Sequence, residues 1–213
     1  MDRRQALRNI GMGAGLLVAT PTVLSILQSC TSEPEFIPVF LTKGEGHALR
    51  RTVDLIIPSD DAVPGAVDVG VHSFIDQFWN EVLEEEDQAF VRKGFALFAD
   101  SFRGQYEKEL EAGKPEEFEA MLSEYLPRTK EAERAIGEKM GEFYQAFEED
   151  PSAEPDPNAA IASLLMAIRG MTIWGWKESE EIGKNVLWYD PVPGVYNGCV
   201  PLNEAGNGNA MAL

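Results

Sequence analysis

The sequence predicts an all-α fold: a single helical bundle of about six helices with a non-helical tail, following a cleaved N-terminal signal. Apolar residues recur at helical spacing through the middle of the chain. No stretch alternates apolar and polar residues for long enough to build a sheet. From about residue 185 onward, prolines and glycines interrupt any periodicity, and aromatic residues are frequent there.

Residues 1–29 are typical of an export signal. Arg3 and Arg4 begin a basic region that an apolar stretch follows, which is the pattern of a secretory leader. The paired arginines indicate the twin-arginine route, which exports folded proteins. Glycine, threonine and serine make the stretch 10–27 less apolar than a membrane helix of about 20 residues. A cleaved signal is therefore favoured over a permanent membrane span.

Cys30 follows Leu27, Gln28 and Ser29, an arrangement that resembles the bacterial lipobox. In that motif the cysteine becomes the lipidated first residue of the mature protein, and its acyl chains hold it at a membrane. The alternative is an unmodified cysteine just beyond an ordinary cleavage site. The sequence thus predicts a signal (1–29), a linker after a lipidated cysteine (30–44) and a helical domain (45–213), on the periplasmic side of a bacterial membrane.

Each predicted helix is marked by apolar residues three or four positions apart, which place one face in the core. In chain order these residues are Leu49, Val53, Ile56 and Ile57; Phe74, Ile75, Phe78, Trp79 and Val82; Val91, Phe95, Phe98 and Phe102; Phe118, Met121, Leu122 and Tyr125; Ile136, Met140, Phe143, Tyr144 and Phe147; Ile161, Leu164, Leu165, Ile168 and Met171.

Proline and capping residues indicate where these helices begin and end. Pro58 ends the first helix, and Pro115 is expected in the first turn of the fourth. Three prolines make residues 149–158 a surface loop, and Asn158 is expected to cap the sixth helix.

The net charge of −18 argues against binding to nucleic acid or to an anionic membrane surface. Acidic residues are concentrated in predicted helical stretches such as 81–87 and 142–150. We interpret them as solvated helix faces that keep an exported protein soluble. A partner attracted by this charge is the alternative.

No residue pattern supports a catalytic, metal-binding or cofactor-binding assignment. His47 and His72 lack the spacing that places two ligands on one helix face, and surface or capping roles are expected for both. Asp60 and Asp61 suit turn chemistry better than acid–base catalysis. With Cys30 lipidated, Cys199 is left without an internal disulfide partner and is expected to be a small buried residue.

Five aromatic residues crowd the C-terminal region, namely Trp174, Trp176, Trp188, Tyr189 and Tyr196, and aromatic side chains are enriched at protein interfaces. The alternative is that this region wraps the bundle and covers its own core. The sequence leaves these two interpretations equally open.

Several segments resemble one protein family in the expected order. They are LIIPSDDAVPGAVDVGV (55–71) running into 74–76, and IWGWKESE (173–180) followed by YDPVPGVY (189–196) and CVP (199–201). These segments are similar to the N-terminal signature and closing block of the gluconate 2-dehydrogenase subunit 3 family.

The resemblance implies a non-catalytic small subunit that escorts, stabilises and anchors a folded, FAD-containing large subunit of the glucose/methanol/choline type. The complex would oxidise a CH–OH group of a sugar, polyol or sugar acid, and a haem c subunit is a further candidate partner. Pro64–Gly65 and Pro193–Gly194 would be structural turns, with Trp174, Trp176, Tyr189 and Tyr196 contacting the large subunit. The alternatives are a stand-alone binding lipoprotein and an enzyme with its own active site.

Overall fold

The computed structural model describes residues 36–150, 152–190, 192, 194, 199–201, 203, 204 and 206–211. These residues form α-helices and short helical turns, with one isolated bridge between Trp188 and Met211, which confirms the predicted all-α fold. The α-helices are α1 (Lys43–Ile56), α2 (Val71–Glu81), α3 (Glu85–Tyr106), α4 (Pro115–Tyr125), α5 (Lys130–Glu149) and α6 (Pro157–Glu178). The predicted signal and Cys30 lie outside the described residues.

Helix α6 lies at the centre of the bundle and contacts each of the other five α-helices. Its buried residues are Ala159, Ala160, Ile161, Ala162, Leu164, Leu165, Ile168 and Thr172. Among the described residues, α6 alone has the length and hydropathy of a membrane span, and half of that stretch is buried inside the protein. A helix that is apolar on most sides is stable in water when other helices cover it, so its central position accounts for its composition.

The start of α4 agrees with the sequence, whereas the start of α6 differs from it. Pro115 is the first residue of α4, as predicted. The predicted cap at Asn158 is wrong, because Asp156 caps α6 and its carboxylate accepts a hydrogen bond from the Ala159 N–H at 2.8 Å. Asp is as good an N-cap as Asn, and Pro157 is well suited to the first helical position, so the helix begins earlier than expected.

Two predictions about isolated polar side chains are corrected. Cys199 is exposed rather than buried, because it lies in the tail and not in a packed helix. His72 is buried within α2 rather than at the surface. His47 is half-buried, and its Nε2 atom lies 3.1 Å from the carbonyl oxygen of Gly113. His47 therefore connects α1 to the turn before α4.

The segment that leads into α1 is fixed by one buried carboxylate. Asp76, on α2, is only 1% exposed. It accepts hydrogen bonds from the N–H groups of Val39 at 2.6 Å, Phe40 at 3.2 Å and Leu41 at 2.9 Å. Arg92 on α3 donates to the Phe40 carbonyl at 3.1 Å, and its guanidinium lies 4.0 Å from the centre of the Phe40 ring. Charge-assisted bonds of this kind satisfy the carboxylate and attach the segment to α2 and α3.

Asp76→Ala is expected to lower the free energy of unfolding by about 3 kcal/mol, because three backbone N–H groups lose a charged acceptor. Urea unfolding followed by circular dichroism measures this change. Asp61→Ala, in an exposed loop position, is the control and is expected to change the stability by less than about 0.5 kcal/mol. Equal midpoints for the two variants would contradict the role given to Asp76.

Candidate partner-binding surface

The loop between α1 and α2 begins with a turn that Asp60 stabilises. The Asp60 carboxylate accepts hydrogen bonds from the N–H groups of Ala62 at 2.7 Å and Val63 at 2.8 Å. These two donors hold the pKa of the Asp60 carboxyl below its ordinary value. This is the turn chemistry that the sequence predicts for the acidic pair.

Gly65 is required by the close approach of two parts of this loop. Its N–H donates to Asp68 Oδ2 at 2.9 Å and to Ser59 Oγ at 3.3 Å, and the Ser59 hydroxyl donates to the same Asp68 carboxylate. A Cβ atom at Gly65 would lie 2.5 Å from Ser59 N and 2.8 Å from the carbonyl carbon of Pro58. Because these are backbone atoms, a side chain at this position cannot be accommodated without moving the loop.

Trp176 attaches the end of α6 to the same loop. Its indole N–H donates to the Pro64 carbonyl oxygen at 2.9 Å, although the two residues are 112 positions apart in the sequence. The side chain is half-buried and packs against the main core. The structure therefore brings together three of the predicted site residues, Pro64, Gly65 and Trp176, in a contact that supports the fold.

An exposed aromatic cluster lies beside this contact, formed by Phe74 and Phe78 on α2 and Trp174 on α6. The ring of Trp174 meets the rings of Phe74 and Phe78 edge-on, with centroid distances of 5.2 and 5.8 Å. Trp174 is 47% exposed and Phe74 is 36% exposed. Large aromatic surfaces left open to solvent in this way are typical of protein interfaces.

A groove of about 380 Å³ adjoins the aromatic cluster, between α2, α3, α5 and α6. Its apolar lining residues are Phe78, Trp79, Leu83, Phe90, Val91, Met140, Phe143, Tyr144, Leu164 and Met171. Phe90 meets the rings of Phe143, Tyr144 and Phe147 edge-on, at centroid distances of 5.8, 4.8 and 5.3 Å. Phe78 belongs to both the aromatic cluster and the groove, so the two surfaces are continuous.

The charged side chains of the groove leave it with a negative edge. Asp87 is exposed at its border, whereas the ammonium group of Lys93 forms an ion pair with Glu154. Burial raises the pKa of the Tyr144 hydroxyl, and the negative charge of Asp87 raises it further. Among the described residues, no group of three or more His, Cys, Asp or Glu side chains is placed to hold a metal ion.

The remaining predicted site residues belong to the tail. Tyr189 is 52% exposed, and Gly194 is exposed as well. Pro193 and Tyr196 lie outside the described residues. Trp188 donates its backbone N–H to the carbonyl of Ala210 at 2.8 Å, so the described part of the tail turns back on itself.

The model of one family, described as gluconate 2-dehydrogenase subunit 3, matches residues 43–194, which is more than half of the chain. This chain belongs to the gluconate 2-dehydrogenase subunit 3 family. The matched region of the chain contains all six α-helices, the Gly65 loop, the aromatic cluster and the groove. Neither a search of curated proteins nor a search of solved structures finds a match.

Some residues that the sequence predicts to lie in the core are exposed in the structure. Phe74, Val82 and Tyr144 were expected to be buried, but all three are exposed. Around α2, Phe74 lies about 100° from the fully buried Ile75, at the margin of the apolar stripe. Spacing within α2 does not distinguish this margin from the buried face, because the exposure of Phe74 depends on how closely α6 packs beside it.

Gly65→Ala is expected to lower the free energy of unfolding by about 1–3 kcal/mol, because the added methyl group overlaps backbone atoms. Gly137→Ala is the matched control. Gly137 is exposed in the interior of α5 with open space at its Cβ position, so alanine there is expected to stabilise by about 0.5–1 kcal/mol. Thermal and urea unfolding of both variants measure these changes, and a stabilising Gly65→Ala would disprove the steric argument.

Proposed function

We propose that this chain is the non-catalytic small subunit of an oxidoreductase complex. It escorts a folded, FAD-dependent large subunit of the glucose/methanol/choline type through twin-arginine export, stabilises that subunit and anchors it at the membrane. Membership of a family described as a dehydrogenase subunit supports this proposal. The observation that carries it is the exposed aromatic cluster, which offers a binding surface to a protein partner.

The aromatic cluster has the properties of an interface centre. Trp174 packs edge-on against two phenylalanine rings, so its orientation is restricted before a partner binds. A preordered aromatic side chain loses little conformational entropy on binding. Tryptophan is also enriched among the residues that contribute most to binding energy. Trp176 is less suited to this role, because its N–H is already bonded to Pro64 within the fold.

The N-terminal leader supports the export part of the proposal. Arg3 and Arg4 are the arginine pair of a route that accepts folded cargo, so a partner already loaded with its flavin can travel with this chain. Lipid on Cys30 would then hold the complex at the periplasmic side of a membrane. Val39, where attachment to α2 begins, is nine positions after Cys30, so the tether can span at most about 30 Å.

The chemistry of the complex belongs to its partners in this proposal. The large subunit binds FAD and oxidises a CH–OH group, and a haem c subunit is a candidate for onward electron transfer. This chain contributes the export signal, the anchor and the docking surface.

The first test is capture of the full-length chain from mildly solubilised membranes of its native host. We expect a stoichiometric flavoprotein, recognised by its visible spectrum and by mass spectrometry. Trp174→Ala is expected to weaken the complex about thirtyfold or more, while its lost ring contacts lower the free energy of unfolding by only about 1 kcal/mol. Ile37→Ala is the control, because Ile37 is an exposed apolar residue in the segment bound by Asp76, on the other side of α2 from Phe74.

Two results of this capture would reject parts of the proposal. A colourless preparation of the chain alone would favour a stand-alone lipoprotein that acts as a binding module. An equal loss of stability and affinity in Trp174→Ala would show that Trp174 supports the fold rather than an interface.

Replacement of Arg3 and Arg4 by lysines is expected to leave both subunits in the cytoplasm, because the export route recognises the arginine pair. Cell fractionation and immunoblotting of the two subunits measure this outcome. Arg8→Lys keeps the pair intact and is expected to be exported normally. Unaltered export of the large subunit in the double variant would exclude the escort role.

A further inference from the structure

We propose that the groove between α2, α3, α5 and α6 receives an apolar segment of the large subunit that is flanked by lysine or arginine residues. This inference rests on the proposed function and extends the interface beyond the aromatic cluster. Three features of the described residues support it: the shape and lining of the groove, its charge, and its continuity with Trp174.

The lining of the groove is suited to binding apolar side chains. Its volume of about 380 Å³ is sufficient for a few side chains, and pockets of this size commonly bind apolar groups. The rings of Phe90 and Phe143 form one wall. Met140 and Met171 lie at other points of the lining, and methionine side chains adapt to different apolar shapes. An apolar segment would therefore displace water from a surface that is already formed.

The charge at one end of the groove favours a basic partner. The first turn of α3 carries Glu85, Glu86 and Asp87, and the last turn of α5 contains no basic residue. Phe90 and Phe147 are in contact, so these two helix ends lie next to each other. The acidic side chains carry this charge, because the partial positive charge at the amino end of α3 and the partial negative charge at the carboxyl end of α5 offset each other. Since Glu154 pairs with Lys93, the lysine that lines the groove does not offset this charge.

Continuity with the aromatic cluster, the proposed docking site, favours the large subunit as the source of the segment. Phe78 lines the groove and also contacts Trp174 at a centroid distance of 5.8 Å. A partner bound at the aromatic cluster is therefore held at the mouth of the groove. One large subunit that covers both surfaces would bury a larger apolar area than either surface offers alone.

The test uses the full-length chain and the flavoprotein that it captures, with the dissociation constant as the readout. Ala167→Trp fills the groove from its exposed border and is expected to weaken the complex about tenfold or more. Ala96→Trp is the matched control. Ala96 is an exposed residue of α3, about 200° around the helix from Gly94, which lines the groove, and its replacement is expected to leave the affinity unchanged.

A second pair of variants tests the charge. Asp87→Lys is expected to weaken the complex about tenfold more than Glu85→Lys, and the difference is expected to shrink at high salt. Both replacements lie in the first turn of α3 and change the charge equally, but Glu85 is on the opposite side of the helix from Asp87. Unfolding midpoints of all four variants verify that each remains folded.

Equal affinities for Ala167→Trp and Ala96→Trp, with a weakened Trp174→Ala, would overturn this inference and leave the proposed function in place. If the wild-type chain retains no flavoprotein, both fall together. If Ala167→Trp instead converts a dimer of the isolated chain into a monomer, the groove binds a second copy and the inference is wrong. Sedimentation of the chain alone distinguishes that case.

Discussion

The rest of the structure depends on the burial of α6 by the five other helices. The apolar residues of α6 lie on several of its sides and must be buried by other helices. Helices from distant parts of the chain therefore pack around α6. The approach is close near its end, where a Cβ atom at Gly175 would lie 3.0 Å from the Phe74 ring. The glycine thus allows α2 to lie beside the end of α6, where Trp174 meets Phe74 and Phe78. The exposed aromatic cluster is therefore a consequence of the packing of α2 against the end of α6.

The two sequence segments that resemble the family are joined in the structure. One contains Pro64 and Gly65, the other contains Trp176, and a single hydrogen bond of 2.9 Å joins them. The close approach of the backbone at Gly65 shapes the loop that carries the Pro64 carbonyl. In this chain these residues therefore support the fold. Trp174, two residues away, points to a different surface and carries the functional proposal.

Local sequence patterns predicted the helices and much of the core, because helix formation and burial of residues such as Leu49 and Phe95 follow from apolar spacing. The same spacing could not predict the exposure of Phe74, which depends on the helix that lies opposite. Asp76 was also missed, since its three donors come from a segment more than thirty residues earlier. The groove has the same origin, because its walls come from four helices whose packing no local pattern specifies.

The attachment at Asp76 has a mechanical consequence. A pulling force applied to the chain before residue 38 acts first on Val39, Phe40 and Leu41. The N–H groups of these residues are hydrogen-bonded to the Asp76 carboxylate. These bonds share the load, and Arg92 reinforces them from α3. Tension is therefore passed to α2 and α3 instead of unwinding α1 from its first turn. The first turn of α1 is thus shielded from a pull on the N-terminal side of the chain by side chains of two other helices.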